Sequence, residues 1–290
     1  MVERAYSAPL DGVELDVEHF RLIRELIRAF CGIAFSDDSR YLVERRLRDR
    51  LDVIGVRDFA EYYRYLRWHV GARAEIEEAV EALTTNETYF FREDYQLRAF
   101  RDEVLPELER RNRDRRRLTI WSAGCSTGEE VYTIAMLVLE SGLCGGWDLR
   151  VFGNDVNRRV IAQARRGVYG TSALRATSPE RRESFFVEEV DGLHVSERVR
   201  ALAHFGHLNL LDEERIALVG RVDAIFCRNV LIYFEAPTRR RVLDLFWDRL
   251  VPGGYLFLGH AESLINFSTS FEIVRLKDDL VYRKPEDAGG

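Results

Sequence analysis

Two adjacent carboxylates, Glu129 and Glu130, stand directly after a loop bounded by glycines, Gly124-Cys-Ser-Thr-Gly128. An apolar run over residues 119–123 leads into that loop, and a helical pattern opens at the carboxylates. The order strand, glycine loop, helix start offers free backbone N–H groups and lets a ligand approach the main chain closely. The glycine spacing is not G-x-G-x-x-G, however, and the paired carboxylates would repel a pyrophosphate. They would attract an ammonium or sulfonium group instead, which favours S-adenosylmethionine over a nicotinamide dinucleotide. A simple electrostatic helix cap is the bland alternative for the pair.

Further polar residues follow at apolar strand exits, where open α/β sheets bind ligands. Asp155 closes Gly153-Asn154-Asp155 about 30 positions after the glycine loop, where an acid can accept ribose hydroxyls. Its bland reading is an N-cap for a helix starting near Asn157. Arg228 and Asn229 end the strand over residues 222–227, and Tyr233 follows within Val230-Leu-Ile-Tyr-Phe234. Asn209-Leu210 follow the third strand, at the neighbouring exit where adenine would rest. The segment Thr84-Thr-Asn-Glu-Thr-Tyr-Phe-Phe-Arg92 packs polar residues beside a diphenylalanine. It reads as a lid or substrate wall, against a capping connector with a core Phe90-Phe91.

The elements that must position these residues fall into two textures. Residues 16–83 carry apolar stripes at helical spacing: Val17, Phe20, Ile23, Ile27 and Phe30; then Val43, Leu47, Leu51 and Ile54. Phe59, Tyr62, Tyr63, Leu66 and Val70 mark a third helix, and Ile76, Val80 and Leu83 a fourth. Gly32, Gly55 and Gly71 separate them, so a small bundle is expected behind an N-terminal tail of residues 1–15. Residues 84–117 connect the domains and contribute to the cofactor site, with one helix over 95–111 that Pro106 kinks. From residue 118 to 290, strands alternate with helices, which predicts a doubly wound, mainly parallel sheet ending in an antiparallel hairpin. Strands are expected at 118–123, 149–154, 203–208, 222–227 and 255–258, with the hairpin at 271–275 and 280–283. Helices are expected at 129–140, 158–165 and 238–250. Residues 185–190 and 193–196, joined by an Asp191-Gly192 turn, form a hairpin. Together with 199–205 they make an antiparallel β insertion at about 184–206.

Composition narrows the class. The 290 residues carry a formal charge of −6, with 46% hydrophobic and 32% charged residues, an ordinary folded, soluble balance. Only Lys277 and Lys284 are lysines, so arginine supplies nearly all of the basic charge. The acidic total argues against a nucleic-acid binder, and the arginine run 110–117 reads as a solvated linker. No stretch has the length and apolarity of a membrane span, and residues 1–15 lack the look of a secretory signal. The four cysteines are scattered without a C-x-x-C pair, so no metal site is expected and a cytoplasmic location is.

The motifs TTNETYFFRE, WSAGCSTGEEVYTIAM, GNDVN, NLL, FCRNVLIYF and VPGGYLFLGHAES stand in one order along nearly the whole chain. In them the sequence resembles the CheR-type chemotaxis receptor methyltransferases. The resemblance implies a helical recognition domain, a Rossmann-like class I methyltransferase domain and a β subdomain on which a receptor tail can dock. It implies a cofactor set of Asn86, Thr88, Arg92, Glu130 (with Glu129 the alternative), Asp155, Asn209, Leu210, Arg228 and Asn229. The implied reaction methylates glutamate side chains of cytoplasmic helical regions of chemoreceptors, yielding methyl esters and S-adenosylhomocysteine. Arg92 is expected to orient the acceptor carboxylate and Tyr233 to line the methyl-transfer channel. Arg45, Arg46 and Arg48 offer a basic docking face, against simple pairing with Glu44, Asp49 and Asp52. A monomer that neither inserts into membranes nor binds nucleic acid is expected. The rivals are a methyltransferase acting on RNA or another protein, a cofactor-binding scaffold without turnover and, weakest, a nicotinamide oxidoreductase.

Overall fold

The computed structural model describes residues 13–264, 267 and 270–286. These form two compact units, an N-terminal one through Thr85 that also takes in Tyr233–Glu235, and a second made of the rest from Asn86. Among the described residues no helix is long and apolar enough to cross a membrane.

The N-terminal unit contains four helices: α1 (Val17–Cys31), α2 (Arg40–Ile54), α3 (Phe59–Trp68) and α4 (Ala72–Leu83). Asp16 caps α1 by accepting the N–H of His19, and Gly32 ends it in the left-handed conformation, as Gly55 ends α2. Phe20, Ile23, Ile27, Val43, Leu47 and Leu51 are buried, as their spacing requires. Val17 and Val70 depart from the expected stripes, being 70% and 98% exposed. Val17 is the first residue of α1, and Val70 lies beyond the His69 C-cap of α3. Inside this unit Tyr62 donates to Glu75 at 2.7 Å, and the Arg50 guanidinium completes the neutralisation of that buried carboxylate. The segment Tyr233–Glu235 belongs here through a bridge between Ile33 and Phe234 and a 2.8 Å Arg28–Glu235 ion pair.

The second unit opens with α5 (Asp94–Ala99) and α6 (Leu105–Arg111), separated by a π turn over Phe100–Val104. The single helix expected over 95–111 is thus interrupted. Pro106 lacks an N–H and its ring crowds the carbonyl four residues back, which a widened turn relieves.

The sheet comprises β1 (Arg117–Ala123), β2 (Asp148–Asp155), β6 (Ala203–His207), β7 (Val222–Cys227), β8 (Leu250–Leu258), β9 (Glu272–Arg275) and β10 (Leu280–Arg283), ordered β6-β2-β1-β7-β8-β10-β9. Strands β6 through β8 run parallel and β10 is antiparallel to both its neighbours. β7 is buried along its whole length and β1 beyond its first residue, as parallel strands covered on both faces must be. Helices α7 (Glu129–Ser141), α8 (Arg158–Arg166) and α12 (Ala236–Arg249) follow β1, β2 and β7, with short α9 (Pro179–Phe185), α10 (Glu197–Arg200) and α11 (Glu213–Ala217) between. The chain goes outward from β1 through β2 to β6, then returns to β7 on the other side of β1, so the switch-point crevice opens between β1 and β7.

The small sheet differs from expectation. Its strands are β3 (Val168–Tyr169), β4 (Phe186–Glu189) and β5 (Gly192–Val195), ordered β3-β5-β4. Residues 199–205 are not its third strand: Val199 lies in α10, and residues from Ala203 pair with β2 in the main sheet. The hairpin turn is Val190-Asp191 rather than Asp191-Gly192, because Gly192 already pairs with Glu189. Tyr169 fixes this sheet to the glycine loop by donating to the Thr127 carbonyl at 2.6 Å. Phe90 packs edge-on against both Tyr169 and Phe186 at 4.9 Å.

Candidate active site

The glycine loop turns sharply on leaving β1. Gly124 and Gly128 hold φ of 83° and 94°, and Ser126 shares the left-handed region at 49°. A Cβ on Gly124 would lie 2.5 Å from Val230, and one on Gly128 2.8 Å from Ala164. The glycines therefore serve close packing of protein against protein, beyond the ligand approach expected of them. The Asn154 carbonyl accepts from Gly124 and Cys125 at 2.9 and 2.8 Å, which ties the loop to the end of β2.

Asp155 sits beside this loop, buried, its two oxygens accepting the N–H groups of Ser126 at 2.9 Å and Asn157 at 3.0 Å. Burial pushes its carboxyl above the ordinary range, opposed by those backbone donors. The cap reading falls to Asn157, which accepts from Arg159 and Val160 and starts α8. Asp155 thus keeps acceptor capacity beyond these backbone bonds.

The two loop carboxylates have different fates. Glu130 accepts from Ser122 Oγ at 2.8 Å and pairs with Arg228 at 3.0 Å. Glu129 is buried, accepts from Thr127 Oγ1 at 2.6 Å, and has no ion pair among the described residues. Burial raises its pKa. The Arg175 guanidinium opposes that shift electrostatically without forming an ion pair, so the buried carboxyl keeps acceptor capacity for a cationic group.

Arg228 gathers three segments. Its side chain is 3% exposed and bonds Glu130, Glu93 at 3.0 Å and the Arg92 carbonyl at 2.6 Å. Asn229 follows with φ 59°, at the crevice mouth. At the neighbouring strand exit, Leu208 donates to the Asp155 carbonyl at 3.0 Å, Asn209 Oδ1 accepts from Leu211 at 3.0 Å, and Leu210 is buried.

The segment from Asn86 to Arg92 runs past the start of α7. The Asn86 carbonyl accepts from Ser126 Oγ at 3.5 Å, and Phe91 donates to Thr133 Oγ1 at 3.2 Å. Phe90 and Phe91 are core residues, as the bland reading held, yet the polar residues around them reach the cofactor loop. Thr88 is half-buried. The Arg92 guanidinium donates to the Glu87 carbonyl at 3.0 Å, lies 6.0 Å from the Tyr89 ring centre, and has no ion pair among the described residues. The structure therefore brings Asn86, Arg92, Glu129, Glu130, Asp155, Arg228 and Asn229 to one set of strand exits. Tyr233 belongs to the N-terminal unit, where its carbonyl accepts from Ala34 at 2.9 Å and its side chain is 38% exposed. In that unit Arg46 donates to the carbonyls of Leu83 at 2.7 Å and Thr84 at 3.2 Å. Arg48 pairs with Glu44 at 2.7 Å, while Arg45 is exposed and without an ion pair among the described residues.

Comparison with known proteins bears directly on this arrangement. Residues 86–279 match the family model for the CheR methyltransferase SAM-binding domain, and residues 18–84 match the CheR methyltransferase all-alpha domain. The chain belongs to the CheR methyltransferase family. Its relatives include a chemotaxis protein methyltransferase of Vibrio parahaemolyticus, 36% identical over 282 residues, spanning 94% of this chain and 99% of the relative. Another, chemotaxis protein methyltransferase 1 of Pseudomonas aeruginosa, is 36% identical over 270 residues, 91% and 97% of the two chains. The Salmonella typhimurium chemotaxis protein methyltransferase is 37% identical over 275 residues, 93% and 91%. The protein is an S-adenosylmethionine-dependent methyltransferase, and the CheR family's cofactor-binding domain is the unit that carries the crevice.

Sequence reasoning missed Glu93 and Glu262. Both lie inside quoted motifs, Glu93 closing TTNETYFFRE and Glu262 within VPGGYLFLGHAES. Arg228, which pairs with Glu93, and three of the four N–H donors to Glu262 are distant in sequence, so no local spacing marks the two residues.

Proposed function

We propose that the chain transfers the cofactor's methyl group to glutamate side-chain carboxylates on cytoplasmic helical regions of chemoreceptors, giving methyl esters and S-adenosylhomocysteine. The observation that carries this reading is the state of Arg92. Its positive charge has a backbone carbonyl and an aromatic neighbour but no carboxylate partner among the described residues, so it is available to an anionic acceptor. The relatives' names point to the same chemistry, as chemotaxis protein methyltransferases.

S-adenosylmethionine supplies, when bound, a methyl group on a sulfonium that leaves without acid assistance. A glutamate carboxylate has a pKa of about 4.3 and is ionised near neutrality, so the protein need not supply a strong base. Arg92 orients that carboxylate. Asp155 holds ribose hydroxyls, while Glu129 faces the cationic end of the cofactor. Glu130 acts one step back by fixing Arg228, whose other bonds hold the Arg92 main chain in place. Asn86, Thr88, Asn209, Leu210 and Asn229 complete the cofactor contacts, and Tyr233 lines the channel. The contribution to rate is alignment of acceptor and methyl group with partial removal of water.

Receptor docking is divided between two surfaces in this proposal. Arg45 on α2 supplies free positive charge for an acidic receptor helix. The strand β4 is an outer strand of the small sheet, and a receptor tail extends that sheet by pairing along it. The protein acts as a monomer. Labelled S-adenosylmethionine with purified receptor fragments tests the assignment, since a carboxyl methyl ester releases its label in mild base. Base-stable label, or label found on residues other than glutamate, overturns it.

A further inference from the structure

Strands β7 and β8 are parallel neighbours, so the segments leaving them face each other at the crevice. Glu262 stands between these exits, and its carboxylate accepts four backbone N–H groups. Oε2 takes those of Asn229 and Gly259, each at 2.7 Å, and Oε1 takes those of Val230 at 2.9 Å and Ile232 at 3.1 Å. A carboxylate offers about four lone-pair sites, so these donors occupy its acceptor capacity. Bonds to an ionised acceptor are about twice as strong as those between neutral groups.

The loop so gathered includes residues that shape the cofactor crevice. Asn229 holds a left-handed φ of 59°, a conformation that asparagine adopts more readily than most side chains and that the gathered N–H bonds fix. Val230 packs against Gly124 so closely that a Cβ there would lie 2.5 Å from its Cγ2. Arg228, one residue earlier, holds Glu93 and Glu130. From the β8 side, a Cβ on Gly259 would lie 2.8 Å from Asn229 N, Asn229 Nδ2 and Glu262 Oε2 alike.

We propose that Glu262 is a positioning residue for the methyl-transfer reaction. Its carboxylate gathers the N–H groups of the β7 exit, presents Asn229 to the cofactor and seats Val230 against the glycine loop. An amide of the same shape cannot do this, because its NH2 end would meet two inward-pointing N–H donors. The inference rests on the assignment of Asn229 to the cofactor and is independent of the acceptor's identity.

The full-length Glu262→Gln protein tests it. S-adenosylhomocysteine affinity is measured by calorimetry, kcat and both KM values by methyl transfer, and folding by thermal melting. The expected result is at least a tenfold rise in Kd for S-adenosylhomocysteine and in KM for S-adenosylmethionine. The KM for the receptor fragment stays unchanged and the melt stays cooperative. Gly259→Ala disturbs the same clamp without altering charge and is expected to give the same split; it decides the matter if Glu262→Gln does not fold. Wild-type Kd in a folded variant overturns the inference. So does a fall in binding stoichiometry at unchanged Kd, which is what a merely structural role produces. A wild-type protein that binds S-adenosylhomocysteine but fails to methylate receptor fragments would sink the proposed acceptor and leave this inference standing.

Discussion

At the scale of single residues, the site separates its charges by what surrounds them. Arg228 neutralises Glu93 and Glu130 together, and removing it would strand two carboxylates at a loss of about 3–5 kcal/mol. Arg92 has no such obligation. Arg92→Ala is therefore expected to lower kcat/KM at least tenfold while the melting temperature stays within about 2 °C, since a partly exposed side chain contributes little to stability. Unchanged turnover with normal cofactor binding would remove it from the mechanism. Glu129 gives a pH-dependent prediction. Burial raises its folded-state pKa, so between the ordinary carboxyl value and that raised value the folded state holds more protons than the unfolded chain. Stability then falls as pH rises through that window and remains lower above it. Glu129→Gln should accordingly melt close to wild type near about pH 4 and above it at neutral pH, while binding S-adenosylmethionine more weakly. Melting scans across pH, paired with calorimetry, check both halves; a pH-independent difference would remove the burial argument.

At the scale of elements, four of the six left-handed non-glycine residues among those described lie on the segments around the crevice, the other two being Arg116 and Cys144. Phe91, Glu93, Ser126 and Asn229 all hold left-handed backbone conformations on the segments that border the crevice. Such positions cost about 1–2 kcal/mol each for most residues, less for asparagine, and persist where surrounding bonds over-determine them. Gly124 takes the same conformation without that cost. Gly124→Ala combines it with a forced contact on Val230, for a loss of about 2–4 kcal/mol, read as a melting decrease of roughly 5–15 °C. A decrease below about 2 °C would mean that the loop can relax. The strands that carry the site were legible because parallel strands buried on both faces are mostly apolar, as residues 118–123 and 222–227 are apart from Thr119, Ser122 and Asp223. The elements that escaped lack such signals. β3 has only Val168 and Tyr169, and its membership in the small sheet depends on pairing with a strand more than twenty residues later. Helix α9 is seven residues, too short for a periodic stripe. The π turn answers to Pro106, whose presence announces a disturbance without saying which one. The strand-exit positions of the residues proposed to hold the cofactor were readable from the order of apolar runs, whereas Glu262 bonds across a 33-residue separation from Asn229 that no local pattern encodes.

At the scale of the whole molecule, the net charge of −6 would repel the acidic receptor helix proposed above, so docking in that proposal calls on local positive charge. The three candidate arginines of α2 divide on inspection. Arg46 closes the last turn of α4 by bonding the Leu83 and Thr84 carbonyls, and Arg48 is paired with Glu44. Only Arg45 of the three is without such a bond among the described residues. Arg45→Glu is expected to raise the KM for receptor fragments about three- to tenfold, more at low salt, with cofactor affinity unchanged. Arg46→Glu should instead lower the melting temperature by a few degrees, through about 1–2 kcal/mol of lost backbone bonding. Equal effects on KM and equal melts for the two variants would show that the division is wrong.

All four cysteines are buried, and burial raises the Cys125 thiol well above its ordinary pKa, so bulk reagents meet almost no thiolate in the closed fold. Cys125 lies inside the glycine loop itself, which makes its alkylation a clock for how often that loop opens. Cofactor held at about a hundred times its Kd should slow that clock about a hundredfold. Cys31, in the N-terminal unit, should keep its own pace and so serve as the internal reference. Mass spectrometry of a time course would then read pocket breathing residue by residue, with no mutation and no acceptor present.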